Sequence, residues 1–213
     1  MVIDLEHSAI NINQAEQLIR VIDLAGSKPF VRLSGHSPVQ IKRVLDAGAK
    51  GIFAPMIESE AQIKSIVDAC HYPPRGNRGM GLARAQGYGE ANAKSKYITT
   101  TSKHIEIYAQ IESVAGITNL DSIFSQEING YFIGPYDLSA SLGNPGIFDS
   151  EKFINAEDQI LQASKQYQIK AGYHLVEPNL EQIPILLNKG YDMIAFSVDI
   201  RMLDLSARLP FSD

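Results

Sequence analysis

What most limits the fold of this chain is an alternation of two hydrophobic periods. Short apolar runs rich in β-branched and aromatic residues are followed by segments whose apolar positions recur at i, i+3, i+4 and i+7. This is the sequence form of repeated βαβ units, which set parallel strands side by side and pack helices against them. Seven strands are predicted, near residues 2–5, 30–33, 52–55, 105–111, 130–133, 171–175 and 193–198. Between them, Ser37 and Pro38 read as a helix cap and first helical position, with Ile41, Val44 and Leu45 on the apolar face and Gly48 at the stop. Ile183, Leu186, Leu187 and Gly190 repeat that layout before the last strand.

Such units close into a barrel or stay open as a doubly wound sheet, and the polar residues choose between the two. They gather at the carboxyl ends of the predicted strands: Asp4, Glu6 and His7; Arg32; Gln110 and Glu112; Asp137; His174; Ser197 and Asp199. An open sheet concentrates its site at one crevice, whereas a barrel brings many strand ends around one mouth. The expected fold is therefore α/β, a TIM (β/α)8-type barrel. Since seven strands are predicted, it lacks the first βα unit; roughly 30 more residues would give the ~250 usual for that fold. The 213 residues are read as one domain spanning 1–213.

A net charge of −5, with no cluster of Lys and Arg, argues against a nucleic-acid surface. No stretch approaches the ~18 apolar residues of a membrane span, and the start MVIDLEH lacks the pattern of an export signal. Cys70, the single cysteine, falls in a helical apolar series with Ile63, Ile66 and Val67, as a packing residue does. A cytoplasmic protein acting on a small molecule is expected.

Gln110 and Glu112 are two residues apart, so a strand directs both to one side near its carboxyl end. Asp137 follows the next strand after Gly134 and Pro135, before any helix is expected to begin. Two carboxylates beside an amide carbonyl suit Mg2+ or Mn2+, which prefer oxygen ligands. The alternative is local: Glu112 capping the next helix and Asp137 stabilising a turn. His7 is a candidate general base, with Asp4 fixing its tautomer through a hydrogen bond. Arg32 can grip a carboxylate or a developing enolate oxygen, or else pair internally with Asp4 or Glu6. His174 reads as a wall residue and Asp199 as a cap or ion-pair partner.

The connection from His71 to Lys103 is long and dense in glycine and arginine, as loops over a barrel mouth often are. Within it, Arg78 and Arg84 are candidates for an anionic substrate end or for subunit contact. No lysine is placed on a strand facing the barrel interior, so a Schiff base is not expected and electrophilic help falls to a metal.

Five segments together resemble the HpcH/HpaI aldolase family, the metal-dependent 4-hydroxy-2-oxo-acid (pyruvate) aldolases, and more remotely the citrate lyase β subunits. They are IDLEH at 3–7, VRLSGHSPVQIKRVLDAGAKGIFAPMIES at 31–59, YPPRGNRG at 72–79, AQIES at 109–113 and FIGPYDLSASLG at 132–143. The resemblance implies a barrel holding a divalent ion on Glu112 and Asp137, with His7, supported by Asp4, as acid/base residue. It further implies that Arg32 and Gln110 meet the pyruvate end and that the turn of Gly134, Pro135, Tyr136 and Asp137 binds a carboxylate. It implies a homo-oligomer, commonly a hexamer of dimers that exchange carboxyl-terminal helices. The chain departs from the family in lacking a strand and helix before IDLEH, and in carrying Tyr136 where a smaller residue is usual. The expected reaction is cleavage or formation of a carbon–carbon bond beside pyruvate in a 4-hydroxy-2-oxo acid. Its rivals are a citrate-type enzyme acting on an acyl thioester and a truncated barrel without activity.

Overall fold

Apolar residues on alternating positions of seven short segments draw them into one parallel sheet, in the order β1 to β7. The computed structural model describes residues 1–211. The strands are β1 (Val2–Asp4), β2 (Phe30–Arg32), β3 (Gly51–Ala54), β4 (Glu106–Ile111), β5 (Gly130–Ile133), β6 (Lys170–Leu175) and β7 (Met193–Phe196). They are joined by α1 (Ile12–Leu24), α2 (Pro38–Ala47), α3 (Glu60–Cys70), α4 (Ala91–Thr99), α5 (Val114–Thr118), α6 (Leu120–Phe124), α7 (Pro135–Ser141), α8 (Glu151–Tyr167) and α9 (Gln182–Lys189). Helix α10 (Asp199–Arg208) follows β7.

Helix boundaries follow local chemistry. Asn11 and Ser59 form capping boxes with Gln14 and Gln62, and the Ser37 hydroxyl accepts from the Gln40 amide. Gly48 and Gly190 close α2 and α9 at φ of 110° and 116°, a conformation that other residues adopt only under strain.

Strand register sorts the side chains into two cores. Ile3, Val31, Ile52, Ile107, Ile111, Ile133 and Ala171 face outward and pack with buried residues of the helices, such as Ile19, Ile41, Ile63 and Ile160. On the other face, Asp4, Arg32, Phe53 and Tyr108 lie side by side across β1 to β4. One step nearer the carboxyl end of β4, Gln110, Phe132 and Gly172 form the next row across β4 to β6. This inner face holds a separate cluster of Phe53, Tyr108 and Phe132 with Phe30, Met193 and Ala195. Phe53 stacks on Tyr108 at 5.1 Å and meets Phe132 edge-on at 4.7 Å. Gly172 makes room for the Phe132 ring, which a Cβ would approach within 2.4 Å.

The sheet curls into seven strands of an eight-stranded barrel. His174 on β6 is close enough to Arg32 and Asp4, at the opposite end of the strand order, to feel their charges. The barrel is open between β1 and β7, which do not pair with each other. Below the aromatic layer, Glu106 takes Lys28 at 2.9 Å, Lys170 at 3.6 Å and the Tyr108 hydroxyl at 2.5 Å. Lys170 opens β6 at the amino-terminal end, away from the mouth. Among the described residues no helix is long and apolar enough to cross a membrane.

The connection from α3 to β4 lies at that same amino-terminal end. A helix returning along a parallel sheet ends where the next strand begins, so the stretch expected over the mouth lies beneath the barrel. Arg78 is buried between the rings of Tyr72 and Tyr97, and its Nη2 pairs with Asp46 at 2.6 Å. Arg84 binds Asp23 at 2.6 Å and the Ala47 carbonyl at 3.2 Å, tying the last turns of α1 and α2 together.

Candidate active site

The carboxyl end of β4 carries a buried acid that makes no ion pair among the described residues, although its charge is felt at Arg32. Glu112, 2% exposed, accepts hydrogen bonds from the Met56 amide at 2.7 Å and the Gln110 side chain at 3.0 Å, and forms none of the ion pairs among the described residues. Burial pushes its carboxyl up to about 7; the Met56 N–H opposes this, while the charges of Glu6 and Asp137 add to it. The remaining oxygen of Gln110, Oε1, is buried without a hydrogen-bond partner. Gly134, at the end of β5, leaves the space that Glu112 fills, because a Cβ there would come within 2.4 Å of Glu112 Oε2.

The local alternative for Glu112 is not realised. Ser113, not Glu112, caps α5 through its hydroxyl and the Gly116 amide at 3.1 Å. Asp137 is exposed in the first turn of α7, which begins earlier than expected, at Pro135, and its carboxylate makes no cap hydrogen bond. Tyr136 is 46% exposed and packs edge-on against Phe148 at 5.1 Å, while Pro135 is buried as the first helical residue.

At the end of β1 the structure divides the expected partners differently. Asp4 takes Arg32 in a two-pronged pair, Nε at 2.8 Å and Nη2 at 2.6 Å, while Arg32 Nη1 lies 3.3 Å from Glu6. Despite burial, Arg32 and the amides of Glu6 and His7 hold the Asp4 carboxyl below its usual range. Burial raises Glu6, with Arg32 working against it. Asp4 therefore touches His7 only at its backbone amide, at 3.4 Å, and does not hold the imidazole. The ring, with a side chain 64% exposed, has its Nε2 3.9 Å from Glu6. His174 lines the same face, and burial first, then Arg32, lowers its affinity for a proton.

The mouth thus unites Asp4, Glu6, Arg32, Gln110, Glu112, Gly134 and Asp137, with His7 at the rim. Arg84 and Arg78 are set apart from it. Sequence reading missed the Met56 amide, which no residue type announces because it is backbone; φ of +48° turns that segment towards Glu112. It also passed over His36, whose Nε2 donates to the Pro55 carbonyl at 2.6 Å.

The residues present fit a divalent cation. Glu112 forms no ion pair, the Gln110 oxygen lacks a donor, and the charges of Glu6 and Asp137 are felt at Glu112. Among the described residues no group of three or more His, Cys, Asp or Glu is arranged to hold a metal, so a cation here would take two protein carboxylates and complete its shell with other oxygens.

Known proteins resemble this chain in sequence and in fold. The sequence profile of the HpcH/HpaI aldolase/citrate lyase family matches residues 1–204. A hydroxypyruvate/pyruvate aldolase of Rhizorhabdus wittichii is 33% identical, over 100% of this chain and 84% of its own. The crystal structure of an HpcH/HpaI aldolase/citrate lyase family protein from Burkholderia cenocepacia superposes with a TM-score of 0.91 at 28% identity, covering 99% of this chain and 83% of that one. The citrate synthase SbnG gives 0.85 at 27% identity, covering 99% and 82%. With its incomplete barrel and the acids at its mouth, this chain belongs to the HpcH/HpaI aldolase/citrate lyase family.

Proposed function

We propose that the protein is a divalent-metal-dependent aldolase that cleaves or forms the carbon–carbon bond beside pyruvate in a 4-hydroxy-2-oxo acid. The observation that carries this is Glu112, a carboxylate buried at the barrel mouth with no ion-pair partner, since a lone buried charge is unfavourable unless a cation joins it. Glu112 and Asp137 would hold Mg2+ or Mn2+, with Gln110 beside them. A bound ion supplies Lewis-acid polarisation of the 2-oxo acid.

The chain's own residues do the rest. Arg32 spends three N–H groups on Asp4 and Glu6, which leaves two to orient the substrate and face the enolate oxygen. In cleavage, His7 Nε2 takes the C4 hydroxyl proton as the C3–C4 bond breaks, giving an aldehyde and pyruvate enolate; synthesis runs the proton back. The backbone from Gly134 to Tyr136 would seat a carboxylate, and the Tyr136 ring would narrow the approach.

Assay of pyruvate release from several 4-hydroxy-2-oxo acids tests this. Activity is expected to vanish in excess chelator, to return with Mn2+ or Mg2+, and to survive borohydride added with pyruvate. Turnover that persists in excess chelator removes the metal mechanism. The likeness to SbnG favours one second reading, condensation of a citrate type, which turnover of an acyl thioester in place of the 2-oxo acids would support. The protein is further proposed to act as a homo-oligomer, on the support of an α10 with no buried residue.

A further inference from the structure

One peptide group joins two hydrogen bonds that run in the same direction. His36 Nε2 lies 2.6 Å from the Pro55 carbonyl, which can only accept, so the imidazole carries its proton on Nε2. The amide of the next residue, Met56, belongs to that same peptide group and donates to Glu112 at 2.7 Å. Imidazole, peptide and carboxylate thus form a chain in which each donor polarises the next, and a bond at one end strengthens the other.

We propose that His36 is a positioning residue for Glu112: it fixes the Pro55–Met56 peptide so that the Met56 N–H clamps carboxylate Oε1, while Oε2 keeps the Gln110 side chain as its donor. The surroundings fit this role. Met56 has φ of +48°, which a residue with a side chain holds only when its neighbours impose it. The Ile57 amide binds the Gln110 carbonyl at 3.1 Å, anchoring the segment to β4 just past the clamp. The loop that carries His36 is braced at Ser34, where the Gln40 side chain bonds the amide at 3.0 Å and the hydroxyl at 2.9 Å. Ser37 caps α2 on the other side. His36 is only part-buried and lines a cavity of about 360 Å³ with Leu5, Ser34 and Arg43, so the ring is not required to fill a core.

The inference rests on Glu112 being a metal ligand, and its test separates the two claims. His36→Gln keeps an N–H donor at the position of Nε2, whereas His36→Leu keeps bulk and removes the donor. In metal-free protein, the Met56 amide proton resonance should move upfield in His36→Leu and stay near its wild-type position in His36→Gln. In Mn2+ titration, affinity should fall about ten-fold in His36→Leu and by no more than about two-fold in His36→Gln, the lower end of what residues supporting a ligand contribute. Circular dichroism of both variants checks that the fold is kept. An unmoved Met56 resonance in His36→Leu, or equal losses in both variants, overturns the proposal. If the wild type binds no Mn2+, the metal reading fails, while the Met56 resonance still decides the clamp.

Discussion

At the scale of single residues, the site turns on how a few charges share too few partners. That Glu112 and Asp137 stand at the ends of neighbouring strands was legible in the sequence, because periodicity locates the ends of β4 and β5. The fate of Asp4 was not, since spacing cannot say which of Asp4, Glu6 and His7 will take Arg32. Geometry decided it: the planar guanidinium matches Asp4 on the neighbouring strand in register, so the imidazole is left at the rim. His7→Ala is therefore expected to lower kcat by about 10²- to 10⁴-fold, the usual contribution of a general base, while Mn2+ affinity stays unchanged; steady-state kinetics with a parallel titration check both. Asp4→Asn should instead raise KM for the 2-oxo acid, because Arg32 loses its anchor. Cys70 is unrelated to the site, and burial pushes its thiol up to about 12, so it should resist alkylation in the native protein at pH 8 and react on unfolding.

At the scale of elements, strand positions and helix caps were readable because periodicity and capping chemistry are local. The placement of the His71–Lys103 stretch was misjudged from its length and composition, although its topology, running from a helix into a strand, assigns it to the closed end. Arg84→Ala is thus expected to leave KM unchanged and to destabilise the fold by about 1–2 kcal/mol through its lost bonds to Asp23 and the Ala47 carbonyl. Thermal melts beside kinetics test this.

The same stretch sets an acid limit on stability. His71 is 3% exposed with Nε2 unpartnered, and burial first, then the nearby Arg75, lowers its proton affinity below the ordinary 6.5. Below that pH the unfolded chain takes up a proton more readily than the native one, so stability present above it falls as the pH drops towards the depressed value. Melts from pH 7 to pH 5 should show a shallower loss in His71→Gln than in the wild type.

At the scale of the whole molecule, the gathering of polar strand ends at one mouth correctly indicated a barrel-like curl. The sheet alone would not have distinguished it, since parallel strands in sequential order also build open sheets. What no periodicity reveals is how copies assemble. Helix α10 leaves Ile200 and Leu203 about 70% exposed, at 72% and 69%, beside Leu209 and Phe211. Such an unpartnered apolar face suits contact with a second copy, and Ile200→Asp with Leu203→Asp should shift the protein to a smaller species in sedimentation.

The most direct measurement is calorimetric titration of Mn2+ into metal-free wild type, Glu112→Gln and Asp137→Asn. One ion per chain is expected in the wild type, with affinity lowered by more than about 100-fold in each variant, beyond the effect of residues that only support a ligand. Equal affinity in all three would contradict a shared cation at the mouth.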